Sequence, residues 1–146
     1  MLILASIPLA AELTHVELAL GGLECASCAQ SVDRSFKRIK GVDTVSFRTQ
    51  DSVAVIDLKP GNAVSLEQIR DAAKGMGYTP GVAKITARGQ ARDEVGKWIF
   101  RVSVSDAEYR LETAAGQTVD AGAMLVVEGS IAGVGAPLKV TKIRGQ

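Results

Sequence analysis

The sequence contains two cysteines, Cys25 and Cys28, which are separated by two residues. This spacing lets both sulfurs reach one metal ion, and two thiolates suit soft ions that accept low coordination, such as Cu(I) or Hg(II). A structural zinc site usually has four Cys or His ligands, whereas here there is no second cysteine pair, and the single histidine, His15, precedes the pair in a different predicted element. The residue types therefore favour a two-thiolate site for a soft ion.

The cysteines lie between a predicted strand and a predicted helix. Residues 15–20 alternate polar and apolar side chains, which is typical of a strand. Ser27 can cap a helix over residues 27–40, with Gln30 completing a capping box. The positive end of the helix dipole favours a thiolate in the first turn, so Cys28 is well placed as a metal ligand.

The following elements complete a repeated pattern. We predict strands at residues 43–49 and 53–58, a helix beginning at Ser65 with Gln68 as its box partner, and a strand at 82–88. This order is βαββαβ, which places both helices on one face of an antiparallel sheet. The loops before the first helix and after the second then lie at the same end, so Tyr78 is expected near the thiols.

The segment Gly22–Cys28 resembles the Gly-Met-x-Cys-x-x-Cys loop of heavy-metal-associated domains, which include small copper chaperones, N-terminal modules of metal-pumping ATPases and periplasmic mercury-binding proteins. The resemblance covers about residues 14–88 and includes the element order. It implies an α+β fold, a ferredoxin-like βαββαβ sandwich, with Cys25 and Cys28 as the metal ligands. It also implies that Leu23, in place of methionine, packs beneath the loop, and that Ser27 and Tyr78 surround the site.

Glu24 departs from the family pattern, in which threonine is frequent at this position. A carboxylate beside the first cysteine is a candidate third ligand, and it is a harder donor than sulfur. Cu(I) is the first expectation for the bound ion. With Glu24 as a candidate third ligand, Zn(II), Cd(II) and Pb(II) are alternatives to Cu(I), in addition to Hg(II).

The remaining sequence divides into further segments. Residues 89–94 are polar and are predicted to be a linker, and residues 95–146 show short alternating strands with glycine bends, one of them at Gly129. They predict a small all-β barrel with a weak similarity to the OB type. Residues 1–13 are expected to be an apolar N-terminal arm or a truncated signal peptide, and residues 14–90 the metal-binding domain.

Composition excludes some classes of function. The net charge is +1, with 17 basic and 16 acidic residues that are well mixed, which argues against nucleic-acid binding. No apolar run is long enough for a transmembrane segment. A periplasmic location is expected if residues 1–11 are part of a signal peptide, and a cytoplasmic one otherwise, since a single close-spaced cysteine pair fits both.

These residues agree to different extents with three functions. The favoured one is a monomeric metal carrier, not an enzyme, that passes its ion to a metal-transport ATPase or another CxxC protein by ligand exchange. A dithiol–disulfide oxidoreductase also uses a CxxC at a helix start, but Glu24, Ala26 and Ser27 differ from the thioredoxin-type loop. A degenerate domain kept for protein contacts is disfavoured by the intact cysteine pair.

Overall fold

The structure is a computed structural model that describes residues 12–23, 26–102 and 107–145, except for the side chain of residue 26. Its first six elements follow the predicted βαββαβ order and form an α+β fold. They are β1 (Glu12–Gly21), α1 (Ala26–Lys37), β2 (Val42–Arg48), β3 (Val53–Leu58), α2 (Leu66–Gly75) and β4 (Thr79–Glu94). These strands pair antiparallel in the order β2-β3-β1-β4. Glu12 and Leu13 therefore belong to the sheet, and residues 1–11 of the predicted arm lie outside the described residues.

The core lies between this sheet and the two helices. From His15 to Leu20, alternate residues of β1 are buried while those between them are partly exposed, as the polar–apolar pattern predicts. The helices contribute stripes of buried side chains with helical spacing. The buried residues at this interface include Val16, Leu18, Leu20, Val32, Phe36, Ile56, Leu66, Ile69, Ala73 and Ile85.

The ends of the helices test the predicted caps. Helix α2 is capped as predicted, since the backbone N–H of Gln68 donates to the Ser65 hydroxyl at 3.1 Å. Helix α1 ends at Lys37 rather than residue 40, because the chain tightens into i→i−3 turns such as Ile39 N to Phe36 O. Gly41 then has a positive φ of 107°, and a side chain there would clash with the β3–α2 connection at 2.8 Å.

The predicted linker is wrong, because residues 89–94 belong to strand β4. β4 pairs with β1 along residues 79–88 and with β5 (Lys97–Val102) along residues 90–94. Ala91 is the one buried side chain among residues 90–94, and the residues around it are polar and exposed. A strand end with a single small apolar residue has the composition of a polar linker. The division into two domains near residue 90 stays a prediction.

The second half of the chain forms a ring of five strands that shares β4 with the first sheet. The further strands are β6 (Ala107–Glu112), β7 (Met124–Ile131) and β8 (Leu138–Gly145). The pairing order is β4-β5-β6-β8-β7 and back to β4, with β6 and β8 parallel. The predicted irregularity at Gly129 is confirmed as a register shift, where an added side chain would lie 2.3 Å from the Lys139 carbonyl oxygen. Neither helix of the described residues has the length and apolar character needed to cross a bilayer.

Candidate metal centre

The loop between β1 and α1 begins with a glycine in a left-handed conformation. Gly22 has φ +94°, which side-chain-bearing residues rarely adopt, so the tight exit from β1 requires glycine. Leu23 follows and is only 2% exposed, as expected for a side chain that packs beneath the loop. Helix α1 starts shortly afterwards, at Ala26.

Cys28 lies in the first turn of α1, is half-buried and packs against the core. It is disulfide-bonded in this structure. Cys25 and the candidate third ligand Glu24 lie outside the described residues. A disulfide sulfur is not a thiolate ligand, so metal binding at this pair requires reduction first.

Ser27 does not occupy the cap position predicted for it. Because α1 begins one residue earlier, Ser27 lies inside the first turn, where it is exposed. Its carbonyl oxygen accepts a hydrogen bond of 3.4 Å from the Ser31 hydroxyl. Serine is a frequent first-turn residue as well as a cap, and the sequence alone placed the boundary one residue too late.

Tyr78 lies beside the β1–α1 loop, as predicted from the topology. The connection from α2 to β4 runs next to the end of β1, where Gly21 pairs with Thr79. A side-chain carbon added at Gly22 would lie 3.7 Å from Cδ1 of the Tyr78 ring. The ring is half-buried against the core, and its effect on a bound metal stays a prediction.

Ser52, in the turn between β2 and β3, holds the same loop from the other side. Its carbonyl oxygen accepts a 2.8 Å hydrogen bond from the Leu20 N–H, and its hydroxyl donates to the Leu23 carbonyl oxygen at 3.2 Å. Ser52 adopts a positive φ of 53°, which is uncommon for a residue other than glycine. The sequence indicated only a turn here, and nothing in its pattern pointed to a contact with the cysteine loop.

The single histidine belongs to a different part of the sheet. His15 Nδ1 lies 2.7 Å from Asp57 Oδ1, on the face of the sheet opposite the helices, and this hydrogen bond holds the pKa of Asp57 below its ordinary value. Similarly, a hydrogen bond from Arg48 lowers the pKa of Glu17. Within the described ranges, no three His, Cys, Asp or Glu side chains are grouped so that they could hold a metal ion.

The model of the heavy-metal-associated domain matches residues 17–79. The match contains both cysteines, the two helices, strands β2 and β3, and Tyr78. Strands β5–β8 lie outside it.

Individual proteins resemble the same part of the chain. Human copper-transporting ATPase 2 is 29% identical over 65 residues, which are 44% of this chain and 4% of the ATPase, so the chain spans a small part of that relative. The N-terminal domain of PacS from Synechocystis PCC6803 is 26% identical with a TM-score of 0.40, covering 45% of this chain and 91% of that domain. Oxidised MerP from Ralstonia metallidurans CH34 is 22% identical with a TM-score of 0.42, covering 47% and 93%.

Proposed function

We propose that the heavy-metal-associated domain at residues 17–79 binds one soft metal ion through reduced Cys25 and Cys28 and passes it to another protein. The observation that carries this proposal is the position of the cysteine pair. It lies inside the matched domain, with Cys28 in the first turn of α1 and the entry to the loop fixed by Gly22. The helix dipole at this position stabilises thiolate, which is the form that binds metal.

Cu(I) is the ion that we propose first. Two thiolates satisfy its preference for soft donors and low coordination, and Hg(II) shares that preference. Two-coordination leaves room for a thiolate of a partner protein to attack the ion, so tight binding and rapid transfer are compatible. A partner with its own CxxC pair, such as a metal-transport ATPase, fits this chemistry. By this proposal the ion is cargo, and the domain is not an enzyme.

The test is Cu(I) binding by the reduced protein under anaerobic conditions, in competition with a Cu(I)-selective chelator. The wild-type chain is expected to bind one ion, and Cys25→Ser or Cys28→Ser to lose tight binding, because a single thiolate does not chelate. Ser31→Ala is a matched control on the outer face of α1 and should bind like wild type. Tight stoichiometric binding by the double Cys→Ser variant would refute the site.

Glu24 adds a proposal about metal choice. An oxygen donor beside two thiolates should favour Zn(II), Cd(II) or Pb(II) more than Cu(I). Glu24→Thr is therefore expected to weaken binding of the divalent ions and to leave Cu(I) binding nearly unchanged. Equal losses for both classes, or no loss, would assign Glu24 to the solvated loop.

The disulfide at Cys28 favours one second candidate, a dithiol–disulfide oxidoreductase. A disulfide sulfur in the first turn of a helix can exchange with other thiols. The discriminating assay is catalytic reduction of insulin disulfides, in which we expect no turnover. Turnover that depends on both cysteines would replace the carrier proposal.

Residues 95–146 are proposed to build an OB-like barrel that serves as a protein-contact or packing module. The ring closure and the parallel β6–β8 pairing support a closed barrel. Tyr109 and Phe100 are buried in it rather than exposed for base stacking, which agrees with a partner other than nucleic acid.

A further inference from the structure

Helix α2 carries a buried arginine that the helical pattern does not predict. Arg70 is 3% exposed, beside the apolar stripe of the helix. Its Nη1 donates to the Gly81 carbonyl oxygen at 2.7 Å, and its Nη2 donates to the Ile131 carbonyl oxygen at 3.3 Å. Arg70 therefore joins α2 to the start of β4 and the end of β7.

These two carbonyl groups do not neutralise the guanidinium. A guanidinium has five N–H donors, and no carboxylate of the described chain lies within ion-pair distance of Arg70. Burial lowers the pKa of Arg70, but an arginine stays protonated at neutral pH. Glu67 of the same helix acts on Arg70 only through space and forms no direct ion pair with it. A buried cation without a direct ion pair is costly, so an anion that reached it would be bound favourably.

Arg70 borders a cavity of about 140 Å³ between α2, β6 and the β7–β8 connection. Tyr109 forms another wall, and burial raises its pKa, so its hydroxyl remains a donor. Gly133 and Gly135 leave open space where side chains would stand. A cavity needs only about 10–15 Å³ of this kind of volume to hold one water molecule, so the cavity has room for an anion the size of acetate or phosphate.

The rim of the cavity contains charges of both signs. Arg110 adds a second cation, whereas Glu67 and Glu108 are acidic. Glu108 is paired with Arg92, at 2.9 and 3.1 Å, and Glu67 is exposed on the first turn of α2. The buried wall is therefore cationic, and the acidic groups lie at the exposed rim, where Glu67 still acts electrostatically on both Arg70 and Tyr109.

We propose that this cavity is a binding site for a small oxyanion, a carboxylate or a phosphate group, with the Arg70 guanidinium and the Tyr109 hydroxyl as its donors. The bound anion would bridge α2 to the barrel strands and would stabilise the folded chain by mass action. The proposal does not depend on the metal site.

The experiment is titration of the full-length protein with sodium phosphate or sodium acetate at constant ionic strength, with chloride as the reference anion. Binding is followed by amide NMR signals of residues 133–136 and by the Arg70 side-chain Nε–H signal, with thermal unfolding in parallel. A saturable shift and a higher unfolding temperature with phosphate or acetate, but not with chloride, are expected. A stronger response to one of the two anions identifies the preferred geometry.

Two variants test whether the anion binds at Arg70 and Tyr109, and a third variant is the control. Tyr109→Phe keeps the ring but removes the hydroxyl, and it should weaken anion binding about threefold or more. Arg70→Lys keeps the charge but loses the planar guanidinium with its paired N–H donors, and it should weaken anion binding at least tenfold. Arg38→Gln removes an exposed arginine of the α1 side and should bind normally. The proposal is overturned if wild type shows no saturable response, if chloride acts equally, or if Tyr109→Phe and a folded Arg70→Lys both bind like wild type.

Discussion

The two ends of strand β1 are held in very different ways. At its first residue, Glu12 is 2% exposed, forms an ion pair with Arg88 of β4, and accepts a 2.5 Å hydrogen bond from the Gly61 N–H. The buried Asn62 amide donates to the Leu13 carbonyl oxygen at 2.9 Å and to the Lys59 carbonyl oxygen at 2.8 Å. This end is fixed by a buried polar network.

The other end of β1, which leads into the cysteine loop, is held by different contacts in the part of the chain that the structure describes. It depends on a left-handed glycine, the neighbouring Tyr78 ring and two hydrogen bonds to Ser52. Under the proposed function this loop exchanges ligands with a partner, and segments that move belong to the less stable part of a fold. We therefore expect the polar stabilisation of β1 to be concentrated at its Glu12 end and the proposed metal binding to depend on its Ser52 end.

Removing strands β5–β8 should cause the largest loss of stability. A fragment ending at residue 90 retains every described contact of the cysteine loop but loses the pairing of β4 with β7, which runs from Ala83 to Gln90. We expect it to fold and bind Cu(I) normally, with a loss of unfolding free energy on the order of half of the 5–15 kcal/mol of a typical domain. Urea unfolding and Cu(I) titration of the fragment check both expectations.

The complementary fragment, residues 95–146, is the control for this division. It lacks β4, one of the five strands of the ring, and chains of about 50 residues are marginal in stability. We expect it to be unfolded or much less stable than the full chain. If the first fragment folds but fails to bind metal, the barrel belongs to the metal-binding unit and the two-domain division is wrong.

Glu12→Ala should cause the largest loss among single substitutions. It removes the buried Glu12 carboxylate from the Arg88 guanidinium and the Gly61 N–H. Breaking a fully buried pair costs about 3–5 kcal/mol, which is the upper bound here because the Arg88 side chain is 20% exposed. Glu17→Ala is the matched control, because Glu17 lies on the same strand and pairs with Arg48 of β2, but at an exposed site. Urea unfolding of the reduced proteins should show a much smaller loss for Glu17→Ala. Similar losses for the two variants would contradict the comparison of the two ends.

Substitutions of Ser52 test the other end of β1 and should lower stability less than Glu12→Ala does. Ser52→Ala removes the hydrogen bond to the Leu23 carbonyl and should cost about 0.5–1.5 kcal/mol of stability. Ser52→Gly removes the same hydroxyl but tolerates the positive φ, so it should be more stable than Ser52→Ala. Both variants should bind Cu(I) about threefold to tenfold more weakly, since the loop is less well positioned. If the loss of Cu(I) affinity simply followed the loss of stability, the role of Ser52 would be structural and not specific to the metal site.

The sequence predicted those features that depend on local pattern. Strand β3 was predicted at its observed bounds, and the Ser65 cap of α2 is observed, because alternation and capping act over a few residues. The missed features depend on distant contacts. Gly41, in the turn after α1, lies close to Asn62 of the β3–α2 connection, and the Ser52 hydroxyl contacts a residue 29 positions away. Of the candidate site, the sequence placed Leu23, Cys28 and Tyr78, but not Ser52.

Substitutions that remove the ion pairs in the middle of β1 should change stability least, and the change should depend on pH. Asp57 has its pKa lowered first by the hydrogen bond from His15, and Glu17 has its pKa lowered first by that from Arg48. A carboxyl group with a lower pKa in the folded chain stabilises it above the unfolded pKa, which is about 4 for these residues. That contribution is lost as the pH falls through the folded pKa.

Thermal unfolding of the Asp57→Asn/Glu17→Gln double variant should therefore approach the wild-type curve as the pH falls below 4, while wild type is more stable at pH 6. The difference should be small, because both pairs are exposed to solvent and screened. A gap between the two proteins that stays constant from pH 6 down to pH 2.5 would show that these pairs do not contribute, and that the polar stabilisation of β1 lies at its Glu12 end.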